Sequence, residues 1–162
     1  MFTGAPTNNA TESLAGCNFY FEAENIQNKL VMEISGLSVE SPVAGGNQAI
    51  GSGTGNVKAR QATPTTEKYE NVIIKIVASA DIDLYTWYQQ SNNNGSGSSN
   101  WAASRKAASI SAFDQAGTRR ARWEIRNSYP CKYEGPSFKV GDGGELANET
   151  ITLVHEGITR VE

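Results

Sequence analysis

Hydrophobic and polar positions alternate with period two along most of the patterned part of the chain. From Asn18 onward, Phe19, Phe21 and Ala23 fall on one face and Tyr20, Glu22 and Glu24 on the other, the spacing of a half-buried strand. Leu30, Met32 and Ile34 then alternate with Lys29, Val31 and Glu33. Asn25 to Asn28 have the composition of a hairpin turn between these two strands. In YENVIIKIVAS (69–79), Val72, Ile74, Ile76 and Ala78 share one face, while Ile73 and Val77 flank Lys75 on the other. Apolar residues on both sides predict a strand covered on both faces.

Asp81 interrupts this pattern and begins a helical one over 81–92. Aspartate is a favoured N-cap, Asp83 suits the positive end of the helix dipole, and Leu84, Trp87 and Tyr88 recur at i, i+3, i+4. SNNNGSGSSN (91–100) has no apolar side chain and ends the helix in a polar loop.

Period two then returns. Ala108, Ile110 and Ala112 alternate in 106–114, Gln115 to Thr118 supply a Gly-containing turn, and Ala121, Trp123 and Ile125 point inward in 119–127. On that last strand Arg120, Arg122, Glu124 and Arg126 point outward. A less regular strand runs over 149–162. Six or seven strands against one short helix, without repeated βαβ units, predict a mainly β, antiparallel barrel or sandwich with one docked α-helix. Residues 1–16 show no hydrophobic period and read as an N-terminal arm before a domain of 17–162. The passage 43–64, glycine-rich at 45–56, is too long and polar for a tight turn. Loops of this length inside a domain are usually functional or disordered.

Composition narrows the chemistry. The 162 residues carry 14 Lys and Arg against 17 Asp and Glu, a formal charge of −3, which disfavours a general phosphate binder. No run of 18 apolar residues exists, so no transmembrane helix and no direct membrane insertion are expected. The first residues lack a basic region and an apolar region, so no signal peptide is expected and synthesis in the cytoplasm is the reading. Cys17 and Cys131 lie far apart outside any CxxC and read as buried, reduced thiols. Gly51, Gly53 and Gly55 imitate a nucleotide loop, but Asn56 stands where GxGxxG needs its last glycine, and no GxxxxGK[ST] exists. His155 is the sole histidine, without HExxH spacing or a GxSxG partner. Glu22 with Glu24, and Asp81 with Asp83, are the available carboxylate pairs; they read as a solvated strand face and a helix start. No enzyme, cofactor or metal site is therefore expected. The face of Arg120, Arg122, Glu124 and Arg126 stays open between charge pairing across an interface, phosphate contact and the lining of a pore.

Four passages in order resemble the tail tube family of contractile phages and phage-tail-like contractile injection systems. ISGLSVE (34–40) is similar to its early strand-to-loop passage. KYENVIIKI (68–76) with DLYTWYQQ (83–90) resembles its long strand and tryptophan-bearing helix. RKAASISAFDQAGTRRARWEIRNSYPCKYEGPSF (105–138) is similar to its central hairpin, with an aromatic-Pro turn, and NETITLVHEGI (148–158) to its closing strand. The resemblance implies homo-hexameric rings whose strands join between subunits into one barrel. It further implies stacking of the rings into a hollow inner tube inside a contractile sheath, with baseplate or initiator tube proteins and lumenal cargo as partners. The chain would then belong to a phage-tail-like particle: a virion tail, an extracellular device or a membrane-anchored one. On this reading Asn56, Val57, Lys58 and Arg60 are candidates to reach an adjacent ring or subunit. Asp81 and Asp83 are candidates to meet the sheath, and the Arg120–Arg126 face lies at the lumen or an interface. Two alternatives stand beside it: a baseplate-proximal tube initiator, and a stand-alone ligand-binding β-sandwich using Trp101 as its platform.

Overall fold

A computed structural model describes residues 14, 18–44, 63–92, 100–141 and 143–162. In chain order the elements are β1 (Phe19–Ala23), β2 (Val31–Ser35), β3 (Val39–Glu40), β4 (Val43–Ala44), β5 (Thr63–Pro64), β6 (Lys68–Tyr69) and β7 (Val72–Val77). Helices α1 (Asp83–Ser91) and α2 (Trp101–Ser104) follow, then β8 (Lys106–Phe113), β9 (Arg119–Glu134), β10 (Asn148–Val154) and β11 (Gly157–Arg160). Seven strands form one antiparallel sheet in the order β1-β8-β9-β10-β7-β2, with β11 also paired to β9.

β9 is long enough to serve two half-sheets. Its first part pairs with β8 and β11, bringing Ile110 opposite Trp123 and Ile158 opposite Ile125. Its second part pairs with β10, which continues to β7 and β2. The inward residues of both halves meet in one core. Phe21, Ile110 and Ile125 come from the first half, Val72, Ile74, Ile151 and Leu153 from the second, and Leu84 and Trp87 from α1. The Trp87 indole N–H donates to the Ser104 carbonyl at 2.8 Å, so the buried ring leaves no polar atom unpaired.

The alternation of β1, β8 and the first half of β9 is as the pattern predicts. Several expectations are corrected. β1 and β2 do not form a hairpin: after the tight turn at Asn25 (φ 61) and Asn28 (φ 58) the chain crosses to the far edge of the sheet. In β2 the pairing register shifts between Val31 and Glu33. This bulge reverses the alternation, so Val31 and Ile34 pack on the core while Leu30 and Met32 are exposed. β7 is covered on one face only, because Ile73 is 42% exposed. The aromatic-Pro turn is absent, and β9 bends at Asn127 (φ 48) and continues through Pro130. Proline donates no ladder hydrogen bond and is tolerated where pairing is irregular, as it is here beside the shift at Thr152/Leu153. The final strand is two strands, broken at His155 and Glu156. α2 had no periodic signal and was not expected. Cys131 is exposed rather than buried, and Cys17 lies outside the described residues.

Ile74→Ala should destabilise the folded subunit by about 2–5 kcal/mol through loss of contacts and a residual cavity. Ile73→Ala, one residue away on the open face, should change it by only about 0.5 kcal/mol. Urea unfolding of unassembled protein measures both, and equal costs would contradict the one-sided packing of β7.

Candidate functional site

The alternation that buries Phe21, Ile110 and Ile125 turns the intervening side chains to the opposite face. Register then aligns them across four strands. Glu22 stands opposite Ser109, Ser109 opposite Glu124, and Glu124 opposite Thr159; the neighbouring row runs Tyr20, Ser111, Arg122. A broad groove over this face is lined by Glu22, Glu24, Arg122, Glu124 and Arg126. Charges of both signs line it, so the face is not the one-signed surface that the spacing of arginines on one strand suggests.

The arginines have partners within the chain. Arg120 donates to Asp114 at 2.8 Å, Arg119 to Glu162 at 2.6 Å, and Arg122 lies 3.6 Å from Glu124. Arg126 lies over Gly157, where an added Cβ would come within 2.5 Å of its guanidinium, so a side chain at 157 would displace it. Asp114 caps the β8–β9 turn by accepting from the Thr118 N–H at 2.8 Å. That bond, then the Arg120 guanidinium, holds its carboxyl below the ordinary carboxylate value.

At the corner between β10 and β11, Glu156 accepts from the Asn127 amide and from Arg105, each at 2.6 Å. The Asn127 bond first, then the Arg105 charge, lowers its pKa. His155 is buried with Nε2 2.8 Å from the Glu70 carbonyl. It is a packed strand-end residue, with no nucleophile or acid beside it among the contacts described. Among the described residues no group of three or more His, Cys, Asp or Glu could hold a metal ion.

Asp81 and Asp83 converge on Lys29. Lys29 forms ion pairs with both, at 3.0 Å to Asp83. The Asp81 carboxylate also accepts from the Asp83 N–H at 3.0 Å, so the helix start is closed from one residue earlier than a side-chain N-cap. Burial pulls the Lys29 ammonium down, but the two carboxylates outweigh it and its pKa lies above 10.5. The Lys29 bond is the main cause holding Asp81 below 3.8. This pairing spans more than fifty residues and carries no signal in the sequence.

Asn56, Val57, Lys58 and Arg60 lie outside the described residues. The stem beneath them is described: β4 pairs with β5 and β3 with β6, closing the base of the 45–62 segment. Trp87 is in the core and Trp123 is half-buried against it. The ring of Trp101 is covered by Arg105, 4.8 Å from its centroid, and met edge-on by Tyr129. The residue nevertheless stays 42% exposed. The edges of the polar half-sheet, β1 and β11, each pair on one side only among the described residues.

Comparison with known proteins agrees with this architecture. The family described as T4-like virus tail tube protein gp19 matches residues 15–159. Among solved structures, a chain of the anti-feeding prophage tube terminating cap superposes with a TM-score of 0.75 at 21% identity, covering 99% of this chain and 98% of that one. A chain of the sheath–tube complex of an extracellular contractile injection system, PVC, in its extended state gives 0.72 at 17% identity, with 93% of each chain covered. Hcp1 from Flavobacterium johnsoniae gives 0.56 at 14% identity, covering 89% of this chain and 94% of that one. No curated protein sequence matches.

The Lys29 contact makes a signed prediction. Because Asp81 is lowered in the folded state, the contact stabilises the protein above the ordinary carboxylate value of 3.8 and that stabilisation is lost as pH falls through the lowered value. Lys29→Met should raise the Asp81 pKa toward 3.8 and flatten the acid side of the stability profile. NMR titration of the carboxyl carbons checks this; an unchanged Asp81 midpoint would contradict the pairing.

Proposed function

The chain belongs to the T4-like virus tail tube protein family, and on that premise we propose that it forms hexameric rings that stack into the hollow inner tube of a contractile injection system. The observation that carries this reading is the match over residues 15–159 to a chain whose polar half-sheet ends in two open strands. An exposed edge strand is an aggregation hazard unless it is paired, and closing a sheet into a barrel removes it. Joining β1 of one copy to β11 of the next disposes of both edges at once. The apolar face is already consumed by the core, so Arg122, Glu124 and Arg126 would face the lumen, with Arg120 near its rim.

Two solved relatives lie in a sheath–tube complex and at a tube terminus. By analogy a sheath protein surrounds this tube, and baseplate or terminating proteins bound it. The 45–62 segment, carried on its two-stranded stem, would reach an adjacent ring through Asn56, Val57, Lys58 and Arg60. Ordering such a glycine-rich segment costs entropy that contacts with a partner would offset. Asp81 and Asp83 would meet the sheath, although Lys29 leaves that cluster only one net negative charge, and exposed ion pairs are worth at most about 1 kcal/mol each. Repetition along a filament would multiply so weak a contact.

Negative-stain microscopy of purified protein tests the reading. Rings with six-fold symmetry and stacked tubes are the expected result, while a monomer at all concentrations would overturn it. Deleting residues 46–58 should leave circular dichroism unchanged and abolish tubes; tubes of normal length from the deletion variant would remove the loop from the account.

A further inference from the structure

The loop Gly135–Ala147 between β9 and β10 exposes three apolar side chains: Phe138 at 80%, Leu146 at 66%, and Val140 fully. Aliphatic and aromatic side chains left this open forgo the favourable free energy of burial, and three on one short loop form a patch rather than scattered exceptions. A recess of matching character lies elsewhere on the molecule. Phe19, Met32, Ile34, Leu37 and Trp123 wall an apolar groove floored by Ile110, of about 300 Å³, with Glu33 on its lip. A dry cavity of about 150 Å³ holds a benzene ring, so this groove has room for the Phe138 ring and a second apolar side chain. Lys139 follows Phe138 directly, and the Glu33 carboxylate is exposed with only a 3.4 Å contact to Lys75.

We propose that the 135–147 loop of one copy inserts Phe138 into this groove on the next copy, with Lys139 meeting Glu33. The contact deepens the tube reading and rests on it. Within this chain the two do not meet: Phe138 stands 80% exposed on its loop, and the groove is lined by other residues. A contact between two different patches of identical chains is head-to-tail, the kind that builds rings or filaments. Opposite charges beside the apolar contact fix its register and penalise the wrong neighbour.

The test uses the full chain and follows assembly by sedimentation and negative-stain microscopy, with circular dichroism confirming folding. Phe138→Asp should raise the threshold concentration for assembly at least tenfold. Lys139→Glu and Glu33→Lys should each raise it, and the two together should restore assembly toward the wild-type threshold, a rescue that simple misfolding would not produce. Wild-type tubes together with Phe138→Asp tubes at the same threshold overturn the contact and leave the tube reading standing. A wild-type protein that never leaves the monomer overturns the tube reading itself. Normal bare tubes that fail only to acquire a sheath would assign the loop to the sheath and likewise overturn the proposal.

Discussion

β9 has to be a single strand in two half-sheets, and the rest of the architecture follows from how it bends. Its sixteen residues change partners near Asn127, whose backbone is left-handed (φ 48), a conformation that asparagine tolerates better than most residues. Ser128, fully buried, donates to the Lys106 carbonyl at 2.8 Å, and Asn92 at the end of α1 donates to the Pro130 carbonyl at 2.7 Å. These bonds tie the strand to β8 and to α1 where it changes partners. Because the strand turns rather than stops, β8 and β11 flank its first part, β10 takes its second part, and the two inner faces close over one core.

The same bend separates two kinds of surface. One half presents the polar rows of Tyr20, Glu22, Ser109, Arg122 and Glu124, bounded by open strands. The other carries the helix and the loop beyond Glu134. The corner of His155, Glu156 and Gly157 holds the halves in register: Glu156 ties Asn127 to Arg105, His155 reaches back to Glu70, and Gly157 leaves room for Arg126. Polar groups here serve geometry, and no described cluster offers a nucleophile and base in contact. A tube subunit must repeat one shape without variation, and short hydrogen bonds at a bend favour that.

Local pattern was legible in the sequence, and long-range pairing was not. Phe21 and Ala23, Ile110 and Ala112, Ala121 and Ile125 all face the core, because period two alone decides the face of a regular strand. The pattern misled at Met32, where a bulge reverses the faces, and at Pro130, where a proline looked like a turn although the strand continues. Both depend on the neighbouring strand, which a linear reading does not contain. The separation of β1 from β2 failed for the same reason: each found a better partner, β8 and β7, far along the chain. Candidate surface residues fared unevenly. The outward placement of Arg120, Arg122, Glu124 and Arg126 follows from alternation, but Asp114, the partner of Arg120, comes from the hairpin turn, and Arg126 reaches the Glu156 carbonyl in the corner between β10 and β11. Lys29 gave no sign that it would bind Asp81 and Asp83. Resemblance spread over four passages carried the functional reading further than any one motif, because order and spacing encode topology even where individual residues do not.

The central claim is that the open strands β1 and β11 of neighbouring copies pair to close a ring, and cysteine cross-linking tests it most directly. In a background with Cys17 and Cys131 replaced by serine, Glu22→Cys on β1 would be combined with Thr159→Cys on β11. Three strand spacings separate these positions within one chain, about 14 Å, well beyond the roughly 7 Å limit for a disulfide, so any bond formed joins two copies. Oxidation of assembled protein should give a ladder of covalent species that ends at six subunits. Assembled rings that yield no ladder, with either Glu22→Cys or Tyr20→Cys as the β1 partner, would show that the sheet edges do not meet and would contradict the account.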